Sequence, residues 1–152
     1  MILEYHRIHP GACHPDRSNP SDAGLDVFFS PRQSKPKAVH IKPNTSMLLG
    51  TGLKFGIPHG YMLEVKNRSS WASKRSLLVG ACVIDAGYNG EVMINLHNVG
   101  SEIQTVTAGD KIAQLVMIPV VHFRPTERTS DDLYYEGLCI SNRGSGGFGS
   151  TG

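Results

Sequence analysis

The fold is decided by the segment Val83-Ile-Asp-Ala-Gly-Tyr-Asn-Gly-Glu-Val-Met-Ile-Asn-Leu-His-Asn98. Its second half, Val92 to Leu96, alternates in the manner of a strand with one face buried. Its first half enters a turn directly after an apolar pair, and Asn89-Gly90 is a strong signal for a short hairpin turn. The segment therefore predicts two strands joined as a β-hairpin.

The rest of the chain repeats this short-strand pattern. Seventeen glycines and nine prolines interrupt it at short intervals and leave little room for helices. One or two helical turns are predicted near Ser70–Arg75, a second tight turn at Pro58-His-Gly60, and a surface loop at Pro31–Pro43. The predicted strands are Ser46–Leu49, Tyr61–Val65, Leu77–Val79, Glu91–Asn98, Ile103–Val106 and Ile112–Val121. We expect an all-β sandwich or jelly-roll-like barrel with at most one short helix.

The composition excludes several classes of function. The chain has 152 residues, enough for one domain with a sizeable core, and a net charge of +2, too small for a nucleic-acid polymer or an anionic membrane as main partner. Three cysteines form no CxxC pair and seven histidines show no metal-ligand spacing, so a disulfide framework and a transition-metal site are not indicated. The N-terminus lacks a secretory pattern. We therefore expect a cytoplasmic or nuclear protein that is not secreted.

The C-terminal segment Arg143–Gly152 has no residues for a core. It holds five glycines, three hydroxyl residues, one arginine and one aromatic, Phe148. Ordering such a segment costs about 1–2 kcal/mol per residue, so we expect a flexible tail. Glycine amides, hydroxyls and an arginine bind phosphate oxygens, and an aromatic ring stacks on a base. The composition is typical of a lid over a nucleotide, although a plain disordered terminus has the same composition.

Asp85 is the candidate for acid–base chemistry. It follows an apolar pair and precedes a tight turn, so its carboxylate is presented at a strand end, where it can orient and deprotonate a water for attack on phosphorus. Three residues later, Tyr88 offers a flat ring to a sugar. Ordinary turn chemistry, in which an Asp side chain bonds nearby backbone, is the alternative interpretation.

Two further segments carry polar groups suited to phosphates. In the first, Arg68 and Lys74 flank the start of the predicted helix, where Ser69 or Ser70 suits an N-cap and the free amides attract anions. In the second, Gln114 interrupts an otherwise apolar strand and needs hydrogen-bond partners, either in the sheet or on a ligand.

A magnesium site is the third possibility. Asp22 and Asp26 stand four residues apart around a glycine at the entrance to a strand. Carboxylates arranged in this way suit a hydrated Mg²⁺ that itself binds phosphates, although an ordinary loop has the same composition.

Taken together, five segments in this order resemble the motifs of trimeric dUTP diphosphatases (dUTPases). They are Ala23-Gly-Leu-Asp26, Arg68-Ser-Ser-Trp-Ala-Ser-Lys74, Gly80-Ala-Cys-Val-Ile-Asp-Ala-Gly-Tyr-Asn-Gly90, Gly109-Asp-Lys-Ile-Ala-Gln-Leu115 and Arg143–Gly152. The resemblance runs from about Pro20 to the last residue. It implies a barrel domain over residues 1–140, a tail over residues 141–152 that closes on the active site, and a homotrimer whose three sites are each built from all three chains.

The resemblance also implies a reaction and its residues. The reaction is the Mg²⁺-dependent hydrolysis of dUTP to dUMP and pyrophosphate, which keeps uracil out of DNA and supplies dUMP for thymidylate synthesis. Asp85 would hold the attacking water, Asp26 would touch the hydrated Mg²⁺, and Tyr88 would pack on deoxyribose. Uracil would be read by backbone around Cys82 and Val83. The remaining substrate contacts, to phosphates and base, would be Arg68, Ser69, Ser70, Gln114, Arg143, Phe148, Gly149, Ser150 and Thr151.

Ser70 and Cys82 each stand where the family usually has glycine, so base selectivity is the property most open to change. Three alternatives remain at this stage: a dCTP deaminase of related fold, a nucleotide-gated binding protein with a regulatory protein partner, and a capsid or lectin domain. Asp85 followed by Tyr88, together with the Arg/Phe tail, favours the diphosphatase over the deaminase.

Overall fold

The computed structural model describes residues 1–130 and 133, and these form eleven strands and one short helix. The strands are β1 (Glu4–Arg7), β2 (Leu25–Phe28), β3 (Ala38–Ile41), β4 (Ser46–Gly50), β5 (Leu53–Gly56), β6 (Tyr61–Lys66), β7 (Leu77–Val79), β8 (Val83–Asp85), β9 (Met93–Asn98), β10 (Gln104–Thr107) and β11 (Lys111–Pro119). The helix α1 (Ser69–Arg75) lies between β6 and β7. The predicted all-β, jelly-roll-like fold with a single short helix is confirmed.

The strands form four antiparallel sheets. The largest has the order β2-β11-β6-β8, a three-stranded sheet has the order β4-β9-β7, and two pairs join β1 to β5 and β3 to β10. Strands that pair are mostly distant in sequence. For example, β2 near the N-terminus pairs with β11. A register shift between Lys111 and Ala113 interrupts that pairing. Such irregularities re-aim the side chains beside them.

The core lies between the inner faces of these sheets. Leu53, Ile94 and Val106 have no exposed surface, and alternate residues of β9 are buried as its sequence pattern predicts. Asn98 is a polar residue in this core, only 1% exposed. Its amide donates to the carbonyls of Ile41 and Glu102 and accepts from the Gly100 N–H, so its burial leaves its polar atoms satisfied.

Three local predictions were wrong. The Asn89-Gly90 turn does not close a hairpin, because β8 pairs with β6 while β9 pairs with β4 and β7. The second half of the predicted loop Pro31–Pro43 contains β3, which pairs with β10. Neither Ser69 nor Ser70 is the N-cap: Arg68 holds that position in an extended conformation, without a side-chain hydrogen bond to the helix. The predicted turn at Pro58-His-Gly60 is present, and the Tyr61 N–H donates to the Pro58 carbonyl there.

The chain divides into two compact units, Met1–Val121 and His122–Gly152. All the strands and the helix belong to the first unit. In the second unit, residues 122–130 and 133 carry no helix or strand. The predicted boundary between residues 140 and 141 falls outside the described residues and stays a prediction. Across the described part of the chain, no helix has the length and apolar character needed to cross a bilayer.

Candidate active site

A polar cleft of about 340 Å³ lies beside the junction of β2, β11 and the start of α1. The pairing of β2 with β11 brings Asp26 opposite Gln114, and Gln114 in turn lies opposite Lys66 at the end of β6. Strand β6 then leads directly into α1. The cleft is lined by Ser18, Asp22, Ala23, Gly24, Asp26, Arg68, Ser69, Ser70 and Gln114. The structure thus brings three of the five motifs to one site.

Asp26 is the electrostatic centre of this cleft. Asp26 is 8% exposed, and each of its two carboxylate oxygens forms an ion pair with a different basic side chain. Arg68 Nε donates to Oδ1 at 3.1 Å, and Lys111 Nζ lies 2.9 Å from Oδ2. Lys111 also reaches Asp16 at 2.9 Å, on the loop that precedes β2. Only the Asp26 side chain is largely buried, and the loss of a partner leaves its charge uncompensated.

This cluster shifts the pKa values of two of its members. The hydrogen bonds that Lys111 donates to Asp26 and Asp16 raise the pKa of Lys111, and the bond to Asp16 lowers the pKa of Asp16. Since the pKa of Asp16 falls on folding, its contribution to stability is present above pH 3.8 and is lost as the pH falls through the lowered value. Since the pKa of Lys111 rises, its contribution is present below pH 10.5 and is lost above the raised value.

We therefore expect Lys111→Met to lower the melting temperature by a constant amount between about pH 5 and pH 9 and by less outside that range. Thermal unfolding followed across pH measures the difference between the two proteins. Lys35→Met, in the exposed loop after β2, is the matched control, because it makes the same change of charge away from any carboxylate cluster. If the fall in melting temperature depended on pH in the same way in Lys111→Met and Lys35→Met, the stabilising pairing of Lys111 with Asp26 and Asp16 would be contradicted.

Gln114 is fixed in the cleft by two neighbours. Its Nε2 donates to the Asn67 carbonyl at 2.8 Å, just before α1. On its other side it lies against Gly24, where a Cβ atom would stand 1.8 Å from Gln114 Oε1. Gly24 is therefore required by close packing against the amide. The sequence left open whether Gln114 bonds within the sheet or to a ligand. In the structure its Nε2 bonds to the backbone carbonyl of Asn67, and the amide also lines the cleft.

Ser69 and Ser70 form the first turn of α1 and are exposed at the cleft. Arg68, in front of them, is oriented by Asp26 and also donates to the Lys111 carbonyl at 3.4 Å. A guanidinium and two hydroxyls on one edge of a cleft suit phosphate oxygens. Lys74 instead lies in the last turn of α1 and does not line the cleft.

Asp85 and Tyr88 lie in a second region. Asp85 is the last residue of β8, opposite Met62 of β6, and is exposed. The Tyr88 N–H donates to the Asp85 carbonyl at 3.2 Å and closes the predicted turn. Tyr88 itself is 49% exposed, and its hydroxyl donates to the Glu91 carbonyl. An exposed carboxylate and an exposed aromatic ring are thereby carried by one turn at the end of a paired strand.

Cys82 and Val83 precede Asp85 at the start of β8. Both are exposed, and the Cys82 carbonyl accepts from the Val65 N–H at 2.8 Å. The Cys82 thiol lies 3.5 Å from the Gly80 carbonyl. The backbone here is therefore held against β6 while its side chains face outward.

The structure thus separates the predicted residues into two groups. Arg68, Ser69, Ser70, Gln114 and Asp26 line the cleft, whereas Cys82, Val83, Asp85 and Tyr88 do not. The predicted tail residues Arg143, Phe148, Gly149, Ser150 and Thr151 lie outside the described residues. Sequence reasoning missed Lys111 and Glu91. Lys111 stands inside the quoted Gly109–Leu115 segment, and its charge next to a strand of buried residues was the available signal.

The cleft fits a magnesium ion bound mainly by substrate. Among the described residues no group of three or more His, Cys, Asp or Glu side chains converges on one point. Asp22, the second acidic residue of the cleft, accepts from the backbone and side-chain amides of Asn19, each at 3.0 Å. Mg²⁺ keeps several waters and commonly binds through one or two carboxylates together with phosphates. Of the two carboxylates that line the cleft, Asp26 is the buried one, and it is the candidate for contact with the water shell of a magnesium ion carried by phosphates.

Comparisons with known proteins identify the family of the chain. The sequence model of the dUTPase family matches residues 12–152. The deoxyuridine 5'-triphosphate nucleotidohydrolase of Picosynechococcus sp. is 36% identical over 156 aligned residues, covering 100% of this chain and 99% of that protein.

Solved structures show the same relationship. A mutant dUTPase of Staphylococcus bacteriophage 80alpha with dUpNHpp aligns with a TM-score of 0.78 at 26% identity, covering 99% of this chain and 98% of that one. A mutant dUTPase of phage phi11 of S. aureus, described for its coordination of a structural Mg(II) ion, aligns with a TM-score of 0.75 at 26% identity, covering 86% of this chain and 98% of that one.

These relatives are nucleotidohydrolases, which decides against a dCTP deaminase and against a capsid or lectin domain. The family match covers nearly the whole chain, and it includes the cleft, the Asp85 turn and the C-terminal segment. The chain therefore belongs to the dUTPase family and is a hydrolase that converts dUTP to dUMP.

Proposed function

We propose that Asp85 holds and deprotonates the water that attacks the α-phosphorus of dUTP. A bond forms between the water oxygen and phosphorus, the bond from that phosphorus to the bridging oxygen breaks, and pyrophosphate leaves while Asp85 takes the proton. The observation that carries this proposal is the exposed carboxylate at the end of β8, whose backbone is fixed by pairing with β6. A carboxylate on a fixed backbone supplies part of the positioning that phosphoryl transfer needs.

The cleft is proposed as the triphosphate site. Arg68, Ser69, Ser70 and Gln114 would contact phosphate oxygens, together with Arg143, Gly149, Ser150 and Thr151 of the tail. Bound Mg²⁺ would neutralise the charge that develops on the phosphates. Asp26 would contact its water shell and also keeps the Arg68 guanidinium oriented from 3.1 Å away. A pre-oriented guanidinium binds phosphate with less loss of entropy than a free one.

Base and sugar are proposed to bind at the second region. The Cys82 carbonyl is held by Val65, so recognition of the uracil edge falls mainly to the neighbouring backbone groups of residues 82 and 83. Tyr88 would pack on deoxyribose and leave no space for a 2′-hydroxyl, and Phe148 would stack on uracil. Such stacking contributes about 1–3 kcal/mol.

Completion of this site is proposed to need other copies of the chain in a homotrimer. Asp85 is not among the residues that line the cleft, and we propose that a site takes its phosphate residues from one copy and Asp85 from another. We propose that the enzyme acts in the reducing compartment, cytoplasm or nucleus, that the sequence predicts. In that setting the enzyme would keep uracil out of DNA and supply dUMP for thymidylate synthesis.

Release of pyrophosphate from dUTP, dTTP, dCTP and UTP in the presence of Mg²⁺ tests the proposed specificity. We expect dUTP to be turned over at least about a hundredfold faster than each of the others, because each differs by a group that the pocket must exclude or pair. Chelation of Mg²⁺ should slow dUTP turnover sharply. Comparable turnover of dTTP would show that Cys82 has opened the base pocket, and comparable turnover of UTP would show that Tyr88 does not read the sugar.

A further inference from the structure

The turn that carries Tyr88 is attached to a distant turn between β4 and β5. Val92 donates its N–H to the Leu53 carbonyl at 2.8 Å, and its carbonyl accepts from the Thr51 hydroxyl at 2.8 Å. Between these bonds and Tyr88 stands Glu91, which is half-buried. The segment after Asp85 is therefore fixed by Thr51 and Leu53, which belong neither to the polar cleft nor to the turn from Asp85 to Tyr88.

Glu91 makes the connection through its side chain. Its Oε1 accepts the backbone N–H of Gly52 at 2.8 Å. Gly52 is buried and has a φ of +69°, a conformation that favours glycine. A carboxylate that accepts from a buried amide is a strong, charge-assisted acceptor, and Gly52 would otherwise lose this partner. The Glu91 carboxylate thus holds the two turns together.

Tyr88 depends on the backbone of the same residue. The Tyr88 hydroxyl donates to the Glu91 carbonyl at 3.0 Å. The ring lies against Gly90, where a Cβ atom would stand 2.3 Å from the hydroxyl oxygen and 2.5 Å from the ring carbon that bears it. The direction of the exposed ring is therefore set by the position of the Glu91 backbone and by the absence of a side chain at residue 90.

From these contacts we infer that Glu91 is a positioning residue for sugar selection: its carboxylate fixes the backbone that fixes the Tyr88 ring. This inference rests on the proposed function, in which Tyr88 excludes a 2′-hydroxyl. A ring can exclude one oxygen atom only if its plane is held in place, since a ring free to rotate makes room for the ribonucleotide. Loss of the Glu91–Gly52 bond therefore weakens discrimination between deoxyribose and ribose.

Two independent substitutions break the connection. Glu91→Ala removes the carboxylate, and Gly50→Ala places a Cβ 2.6 Å from Glu91 Oε1 without changing either partner of the hydrogen bond. Glu91→Gln keeps an oxygen acceptor at the same place and should therefore retain discrimination between deoxyribose and ribose. Gly56→Ala is the matched control, because a Cβ there meets only ordinary contacts, with Glu4 at 3.7 Å and beyond.

Discrimination is measured in two ways on the full chain, as the ratio of kcat/KM for dUTP to that for UTP and as the ratio of affinities for dUMP and UMP. We expect both ratios to fall about tenfold in Glu91→Ala and Gly50→Ala, as loss of one charge-assisted hydrogen bond predicts. They should stay within about threefold of the wild type in Glu91→Gln and Gly56→Ala.

Unchanged ratios in Glu91→Ala, or in Gly50→Ala where Glu91→Ala fails to fold, would overturn the inference. An equal fall of dUTP and UTP turnover at constant ratio would also overturn it, because that is the result of a purely structural role. A wild-type protein that does not hydrolyse dUTP would refute the proposed function instead. In that case the ratio of dUMP to UMP affinity still decides the role of Glu91.

Discussion

Replacing Asp85 with asparagine is expected to lower kcat for dUTP by about a thousandfold while leaving the fold intact. Loss of a general base commonly costs 10²–10⁴-fold, and asparagine cannot take the proton from the attacking water. Asp85 is exposed at the end of β8, so its replacement by an amide of the same shape leaves the pairing with β6 in place. Single-turnover pyrophosphate release measures the effect, and thermal unfolding verifies the fold. Retention of more than about a tenth of the wild-type rate would remove Asp85 from the chemical step.

The same variant tests whether the site is shared between copies. Arg68→Gln removes a cation from the polar cleft, and we expect this variant to be nearly inactive by itself. If Asp85 and Arg68 of one site come from different chains, mixing the two inactive variants and allowing subunits to exchange restores both residues in about a quarter of the sites. If both come from the same chain, no mixture regains activity. Each inactive variant mixed with itself is the control.

Replacing Asp26 with asparagine is expected to destabilise the protein by about 3 kcal/mol, which corresponds to a fall in melting temperature of about 6–12 °C. The Asp26 side chain is only 11% exposed and neutralises both Arg68 and Lys111. An amide has no charge to offer these two cations, so they would repel each other across a partly buried gap. Denaturant unfolding measures the loss. Turnover should fall as well, because Arg68 loses the group that orients it.

Asp22→Asn is the matched control for this prediction. Asp22 lines the same cleft, but it is exposed and bonds only to Asn19 among the contacts described above. We expect a change in stability of less than about 0.5 kcal/mol, which is usual for surface substitutions. Equal losses of stability in Asp26→Asn and Asp22→Asn would contradict the stabilising role assigned to the ion pairs of Asp26. Adding Lys111→Met to Asp26→Asn should then cost less than the two single losses together, because the two residues share one interaction.

Local patterns predicted a large part of the fold. Alternation within Val92–Leu96 identified β9, and the apolar run from Ile112 identified β11 with bounds close to those observed. The start of α1 was placed to within one residue. Alternate residues of β9 are buried, so its sequence carries the period of the structure, whereas β11 was visible as a continuous apolar run. By contrast, β1 has four exposed residues and no such pattern to detect.

Pairing could not be predicted from local patterns. Asn89-Gly90 has the sequence of a hairpin turn, but Val83–Asp85 instead completes the edge of the sheet beside β6. Strand β3 was hidden because its segment follows a loop rich in lysine and proline, and its partner β10 lies far along the chain. Propensity describes a residue and its neighbours, whereas pairing depends on which edges remain available in the whole fold.

The same distinction applies to the site. Asp85, Tyr88 and Gln114 could be proposed as site residues from residue type and position, because turn ends and interrupted apolar strands are visible in a sequence. The link from Lys111 to Asp26, and the link from Glu91 to Gly52, join residues that approach only after folding. Nothing adjacent to Glu91 in the sequence indicates that its carboxylate accepts from a glycine on another turn.

The pairing of β2 with β11 has a consequence for synthesis of the chain. Strand β2 leaves the ribosome early, but its partner in the sheet is among the last strands to be made. Until then, Val27 and Phe29, which become part of the core, have no β11 to pack beside. Contacts so distant in sequence form slowly, and exposed strand edges associate with other chains in the meantime. A ribosome that stalls before Lys111 would therefore release a chain in which neither the polar cleft nor the four-stranded sheet can form, and such chains are the ones that depend on chaperones.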